Sequence, residues 1–378
     1  MYQKKIREDN EKKVFHYIYQ KQENFSIIDI SNNLNISFPT IKTILNKFLE
    51  KKYIKEEIKI GSGTGRKAQY YSLNKNFVYS IGISIHFKKI KIILGNERGE
   101  ILKELIIKDY FFKDNLIEKI DEILEDFFLE INDEIKQKII GIGISIPGIV
   151  DKKTNTIEIT SLLRISLNKV YNLSKKYNKK ILIDNEGNMC AISEKFLGVG
   201  KDFSRFIILN IEDTLNMSTF LEENEYGNFS FKASRVNHMS INFQGIKCDC
   251  GNKGCWGKYA SESVLLENFQ KVNPNILKLK DIFKNDILDD KNNFDILDNY
   301  LEYLAIGIKN IIFLYNPEKI IISGSLSLYK DKFRDNLLSK IYHNNIFFKG
   351  KETIEFSNLG EKSVYLGAIM LPIIDELF

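Results

Sequence analysis

The sequence predicts a mixed α/β protein, with a two-lobed body of sheets crossed by helices and a small winged helix-turn-helix unit ahead of it. Three observations lead there. Strand-like runs of β-branched residues, a crossover helix and a further buried strand occur twice in the same order, the pattern of sheets covered by helices. Residues 1–76 carry 15 Lys+Arg against 8 Asp+Glu, a net of +7, while the whole chain is only +5. Three of the four cysteines crowd into Cys248-Asp249-Cys250-Gly251-Asn252-Lys253-Gly254-Cys255, with His238 ten residues upstream. The expected divisions are a head at 1–75, a first lobe at 76–193 joined by a terminal helix at 363–378, and a second lobe at 194–362.

In the head, Val14, Phe15, Ile18 and Tyr19 recur at helical spacing between Asn10 and Lys21. A second helix follows Ser26, an N-cap, and carries Ile27, Ile28, Ile30 and Leu34. After Asn35-Ile36, Ser37 caps a third helix with Pro39 in its first turn, where a missing N–H costs nothing. Ile41, Ile44, Leu45, Phe48 and Leu49 form its buried stripe. Its outward face shows Phe38, Thr40, Lys42, Thr43, Asn46 and Lys47, the polar surface that a recognition helix lays in a major groove, and Ser37 at its start, Phe38, Thr40, Lys42, Thr43 and Lys47 are the expected DNA contacts. Residues 53–60 and 68–73 read as a two-stranded wing around Gly61-Ser62-Gly63-Thr64-Gly65-Arg66-Lys67. Arg66 and Lys67 at such a tip suit phosphates or a minor groove. The basic excess of this module is the footprint expected of a unit that meets double-stranded DNA.

In the body, strands are expected at 78–85, 89–95 and 100–105, then a helix with Leu116, Ile117, Ile120, Ile123, Leu124, Phe127 and Phe128, then a buried strand at 139–146. The second half repeats the theme with a strand at 206–210, a long helix from Phe294 to Leu314 and a strand at 319–324. A chain that is 43% apolar and 28% charged buries large cores. No apolar run approaches the ~20 residues of a membrane span, and the charged first residues do not form a signal peptide, so a cytoplasmic location is expected.

Thiolates are soft, charged donors, and three cysteines with one histidine complete the tetrahedral shell of a closed structural zinc site. His238, Cys248, Cys250 and Cys255 are the expected ligands. A disulfide framework fits less well in a chain without a secretory segment.

Together with Pro147-Gly148, Ile183-Asp184-Asn185-Glu186-Gly187-Asn188, the run from Asn316 to Gly324 and Leu366-Gly367-Ala368, the cysteine motif makes nearly the whole chain resemble the ROK family (repressor, open reading frame, kinase). The resemblance implies an actin-like, ribonuclease H-like body. The head resembles the one that separates the family's transcriptional regulators from its sugar kinases. Against the kinase pattern the chain departs repeatedly. The phosphate loop of the first hairpin is replaced by Ser84-Ile85-His86-Phe87-Lys88, and the glycine-rich turn after Asn210 reads Ile211-Glu212-Asp213-Thr214, whose acids repel a nucleotide. Glu186 stands at the implied catalytic Asp, where one extra methylene displaces the carboxylate by ~1 Å. No catalytic residue is therefore expected.

The resemblance also implies a sugar site, here reduced to Asn185, Glu186 and His238. Arg235 replaces one implied Glu and Gly257 another. Arg235 either recruits an acidic ligand such as a sugar phosphate or pairs with Glu186 and closes the cleft. The expectation is a DNA-binding repressor of carbohydrate-related genes, acting as a homodimer or tetramer on a palindromic operator, with a sugar-like effector or a degenerate effector site. The alternative is an ATP-dependent sugar kinase with a regulatory head.

Overall fold

The computed structural model describes residues 2–21, 23–58, 69–86, 89–108, 115–151, 154, 156–158, 164–222, 229–284, 287–343 and 353–378. The head comprises α1 (Tyr2–Lys21), α2 (Ile27–Leu34), α3 (Phe38–Glu50) and the strands β1 (Ile54–Ile58) and β2 (Gln69–Leu73). This is the helix and hairpin order expected of a winged helix-turn-helix. α1 starts eight residues before the expected Asn10, because its first two turns are rich in helix-favouring Lys, Arg, Gln and Glu rather than in periodic apolar residues. Ser26 caps α2 in a full capping box with Asp29, and Asn35 ends it at φ 53°, a left-handed value that asparagine tolerates. β1 and β2 are antiparallel, and Phe25 adds a bridge to Tyr71 on β2.

The first lobe runs β3 (Tyr79–His86), β4 (Lys89–Asn96), β5 (Ile101–Lys108), α4 (Leu116–Leu129), α5 (Asp133–Lys138), β6 (Ile139–Ile146), the short strands β7 (Ile149–Asp151), β8 (Thr156–Glu158) and β9 (Arg164–Ser166), α6 (Leu167–Tyr177), β10 (Lys180–Asn185) and α7 (Glu186–Phe196). The second runs β11 (Arg205–Ile211), β12 (Leu215–Glu222), β13 (Phe229–Ser234), α8 (Gly257–Ala260), α9 (Glu262–Val272), α10 (Leu279–Ile282), α11 (Lys291–Tyr315), β14 (Lys319–Ser323), α12 (Arg334–Tyr342), β15 (Ile354–Phe356) and α13 (Lys362–Leu377). Their main sheets have the orders β10-β6-β3-β4-β5 and β13-β12-β11-β14-β15. Each is an antiparallel meander of three strands extended by two parallel ones, so the lobes share one topology.

The lobes exchange a helix. α7 follows the last strand of lobe 1 but packs on β11, β12 and β13, whereas α13 follows the last strand of lobe 2 and packs on β3, β4 and β6. The two helices meet back to back at Gly367, where an added Cβ would lie 1.9 Å from the Met189 carbonyl oxygen. Only glycine permits that approach. One continuous apolar core joins this pair to the head, from Phe15, Ile18 and Phe48 through Phe378 to Met189, Ile192 and Ile369. The remainder of each lobe has its own core.

Candidate functional site

β10 and α7 deliver the residues at the mouth of the interlobe cleft. Asn185 ends the strand and caps the helix, its Oδ1 accepting from the Asn188 amide at 2.8 Å, so that oxygen is already engaged. Glu186 opens α7, where unpaired amides and the helix dipole favour a carboxylate. It is 7% exposed, accepts from Asn216 Nδ2 at 2.9 Å and lies 3.4 Å from His86 Nδ1. Ser84 Oγ, 2.9 Å from Nε2, holds the other side of that ring. Neither His86 nor Asn216 was singled out as a site residue by sequence reasoning. His86 counted there only as part of a missing phosphate loop, and Asn216 only by its place in the stretch that stands for the glycine-rich turn after Asn210.

Deeper in the cleft, Glu212 directly follows β11 and accepts from the Ser325 amide at 3.1 Å and the Ser325 hydroxyl at 3.3 Å. An N–H exposed after a glycine at a helical turn is the kind of donor that receives phosphate oxygens. Here a side-chain carboxylate already sits on it. Burial is the main reason that Glu212 is pushed up to about 7, with the Glu186 charge adding and His86 opposing. Glu262 is pushed up to about 8, again chiefly by burial, then by Glu212 and Asp213. These acids share a cavity of about 270 Å³ with His86, Lys89, Lys91, Glu361 and Tyr365. A larger cavity of about 450 Å³ in lobe 2, floored by Phe283, Leu297 and Phe333, shares none of these residues.

Arg235 does not pair with Glu186. Its Nη2 lies 3.0 Å from Glu158 Oε2 on β8, an ion pair that reaches from lobe 2 to lobe 1 with the Arg235 side chain 59% exposed. Glu186 has no need of it, being matched already by Asn216 and His86. The four expected ligand residues are thus not brought onto one point: Asn185 and Glu186 are engaged within the cleft, Arg235 faces outward, and His238 belongs to the cysteine cluster.

That cluster is compact. The ligand atoms of His238, Cys248, Cys250 and Cys255 all lie within 4.8 Å of one another, with His238 Nδ1 3.6 Å from Cys248 Sγ and Cys250 Sγ 3.5 Å from Cys255 Sγ. A tetrahedral zinc with bonds near 2.3 Å sets its sulfurs about 3.8 Å apart, so the donors fit that ion. Gly254, at φ 70°, presses on Asn242, where an added Cβ would lie 1.7 Å from the carbonyl oxygen. Trp256, fully buried, anchors the loop by donating Nε1–H to the Tyr303 carbonyl of α11 at 2.9 Å.

On the head, Ser37, Phe38, Lys42, Thr43 and Lys47 are exposed and Thr40 is half-buried, all on the side of α3 away from its core. The Ser37 and Thr40 hydroxyls bond each other at 2.9 Å, and Thr43 Oγ1 donates to the Pro39 carbonyl at 3.0 Å. Lys47 is ion-paired with Glu11 of α1, so its charge is partly spent inside the head. Arg66 and Lys67 lie outside the described residues.

Residues 80–373 match the ROK family. The xylose repressor of Bacillus subtilis (strain 168) is 28% identical over 330 residues, 85% of each chain. The xylose repressor of Caldicellulosiruptor bescii is 28% identical over 376 residues, 92% of this chain and 91% of that one. Among solved structures, a ROK family transcriptional regulator, homologous to the E. coli MLC protein, superposes with a TM-score of 0.80 at 20% identity and covers 98% of both chains. A ROK family glucokinase from Streptomyces griseus, in complex with glucose and AMPPNP, gives 0.64 at 20% identity, covering 98% of its own chain but 78% of this one. With a family match spanning well over half its length, the chain belongs to the ROK family.

Proposed function

We propose that this chain is a sugar-responsive transcriptional repressor whose head binds operator DNA and whose body is regulatory rather than catalytic. The observation that carries the reading is the extent of the likeness. Relatives named as xylose repressors match both head and body, whereas the glucokinase structure leaves about the head's share of the chain uncovered. D-xylose is accordingly the first effector to try, with sugar phosphates next because Arg235 offers a planar cation at the cleft's edge. Phe38, Thr40, Lys42 and Thr43 read base edges, Ser37 and Lys47 support them, and Arg66 and Lys67 meet the backbone or the minor groove. Asn185 and Glu186 border the effector, Arg235 stands at the cleft's edge, and His238 serves the cysteine cluster. The protein works in the cytoplasm as a homodimer or tetramer on half-sites about one helical turn or a multiple apart.

Zinc is the resident metal, held by His238, Cys248, Cys250 and Cys255, and its work is to fix the cleft wall. Four protein donors leave no open position for substrate chemistry. The kinase alternative is disfavoured by the carboxylate of Glu212 on the Ser325 amide and by His86 against Glu186. A gel shift at fixed salt on the chain's own upstream DNA tests the placement of the head. Lys42→Ala with Arg66→Ala is expected to weaken operator binding at least tenfold, and unchanged affinity rejects that placement. A coupled ATP assay with a hexose panel is expected to show no turnover.

A further inference from the structure

Helix α1 of the head rests on both lobes. The Tyr19 phenol donates to the Glu97 carbonyl, in the turn between β4 and β5 of lobe 1, at 2.6 Å. One turn earlier His16 faces lobe 2, with Nε2 3.9 Å from Glu222 Oε1 at the end of β12. The other oxygen of Glu222 accepts from Lys195 of α7 at 2.9 Å. The rings of Phe378 and Phe229 complete the box, centred 5.6 and 6.0 Å from the imidazole. His16 is 4% exposed, and neither ring nitrogen has a hydrogen-bond partner among the described residues. A buried polar ring without a bond costs free energy that a phenylalanine of similar shape avoids, so packing alone does not account for it.

We propose that α1 is a latch laid across the interlobe joint and that protonation of His16 releases it. Burial, the largest influence on this ring, favours the neutral form and lowers its pKa from the ordinary 6.5; the pull of Glu222 is secondary and Lys195 opposes it. The latched state therefore refuses a proton that the released state accepts below 6.5. Latching is at full strength above that value and weakens as the pH falls below it. Lys12 and Lys13, one turn away on α1, add no negative charge that would hold an imidazolium in place. At the other seat Glu97 is pushed up by burial, so acidification favours the latch there. That opposing contribution is common to the wild type and any His16 variant, and the difference between them isolates His16.

The inference goes beyond the reading of the head as a DNA-binding unit, and its test uses neither DNA nor sugar. Hydrogen exchange of the full chain is followed by mass spectrometry from pH 7.5 to 5.5, corrected for the intrinsic pH dependence of exchange. Peptides covering residues 10–21 are expected to open several-fold more often at the acid end, with a ceiling of about tenfold per pH unit for one proton, while α11 peptides show no such rise. His16→Phe and His16→Gln are both expected to abolish that rise, and either one suffices if the other fails to fold. No rise in the wild type, or an equal rise in the variants, overturns the proposal.

Discussion

The two lobes have the same five strands in the same order and directions, yet they spend their connections differently. In lobe 1 the described part of the link from β5 to β6 holds α4, whose apolar face packs into that lobe's core, and α5, a short polar helix with no buried side chain. The equivalent link in lobe 2, from β13 to β14, holds the histidine and cysteine cluster, the buried Trp256 and α8 to α11. A shared sheet thus fixes where the cleft lies, and the insertion decides what borders it. A second contrast lies within that border. The cysteine cluster keeps its four donors within 4.8 Å of one another, whereas polar side chains of the cleft are paired among themselves, Glu212 with Ser325 and His86 with Glu186. On the proposed reading, a metal held by this loop serves as scaffold for the second lobe.

The largest effect should follow from breaking that scaffold. Structural zinc in small domains contributes about 10 kcal/mol or more of folding free energy, and even a fraction of that is large against a typical domain's stability. Cys248→Ser, or chelation, is expected to lower the unfolding temperature of lobe 2 and to raise hydrogen exchange across residues 238–260, leaving the head's exchange unchanged at first. Equal loosening of lobe 1 would contradict the division. Phe378→Ala comes next. It empties a box shared by Phe15, Tyr19 and Phe196 and should cost about 3–5 kcal/mol in chemical denaturation. A cost below about 1 kcal/mol would mean that the head does not share the body's core.

The acid cluster makes a smaller prediction with a definite sign. Glu212 at about 7 and Glu262 at about 8 hold protons that the unfolded chain releases near 4.5. Stability should therefore fall as pH rises from about 4.5 to about 8 and level off above. Glu262→Gln should flatten that slope in denaturation curves taken at half-unit steps, and an unaltered slope would remove Glu262 from the account. Smallest of all, Arg235→Ala breaks one exposed ion pair and should cost at most about 1 kcal/mol. A larger loss would mark the Glu158 contact as a true clasp between lobes.

Much of this was legible in the sequence because local chemistry decides it. The capping box at Ser26, the Ile-rich strands and the cysteine spacing each follow from neighbouring residues, whereas Ser37 precedes α3 without a capping hydrogen bond, its hydroxyl meeting Thr40 instead. Contacts between residues far apart in the chain were not legible. A terminal helix at 363–378 was expected on the first lobe, but the matching passage of α7 onto β11, β12 and β13 was not, nor was the close approach of Gly367 to Met189 that joins the two helices. The partner of Arg235 was sought at Glu186, the nearest acid of the resemblance, but long-range packing presents Glu158 instead. α1 outran its predicted start because helix propensity extends where apolar periodicity stops.

The central claim is that a two-lobed body governs a DNA-binding head. Footprinting of the full chain on its own upstream DNA, at one fixed salt concentration and with D-xylose, other plain sugars and sugar phosphates added in turn, tests it most directly. The account predicts a two-fold symmetric protected site that one of these sugars releases. Protection no stronger than on unrelated DNA would contradict it.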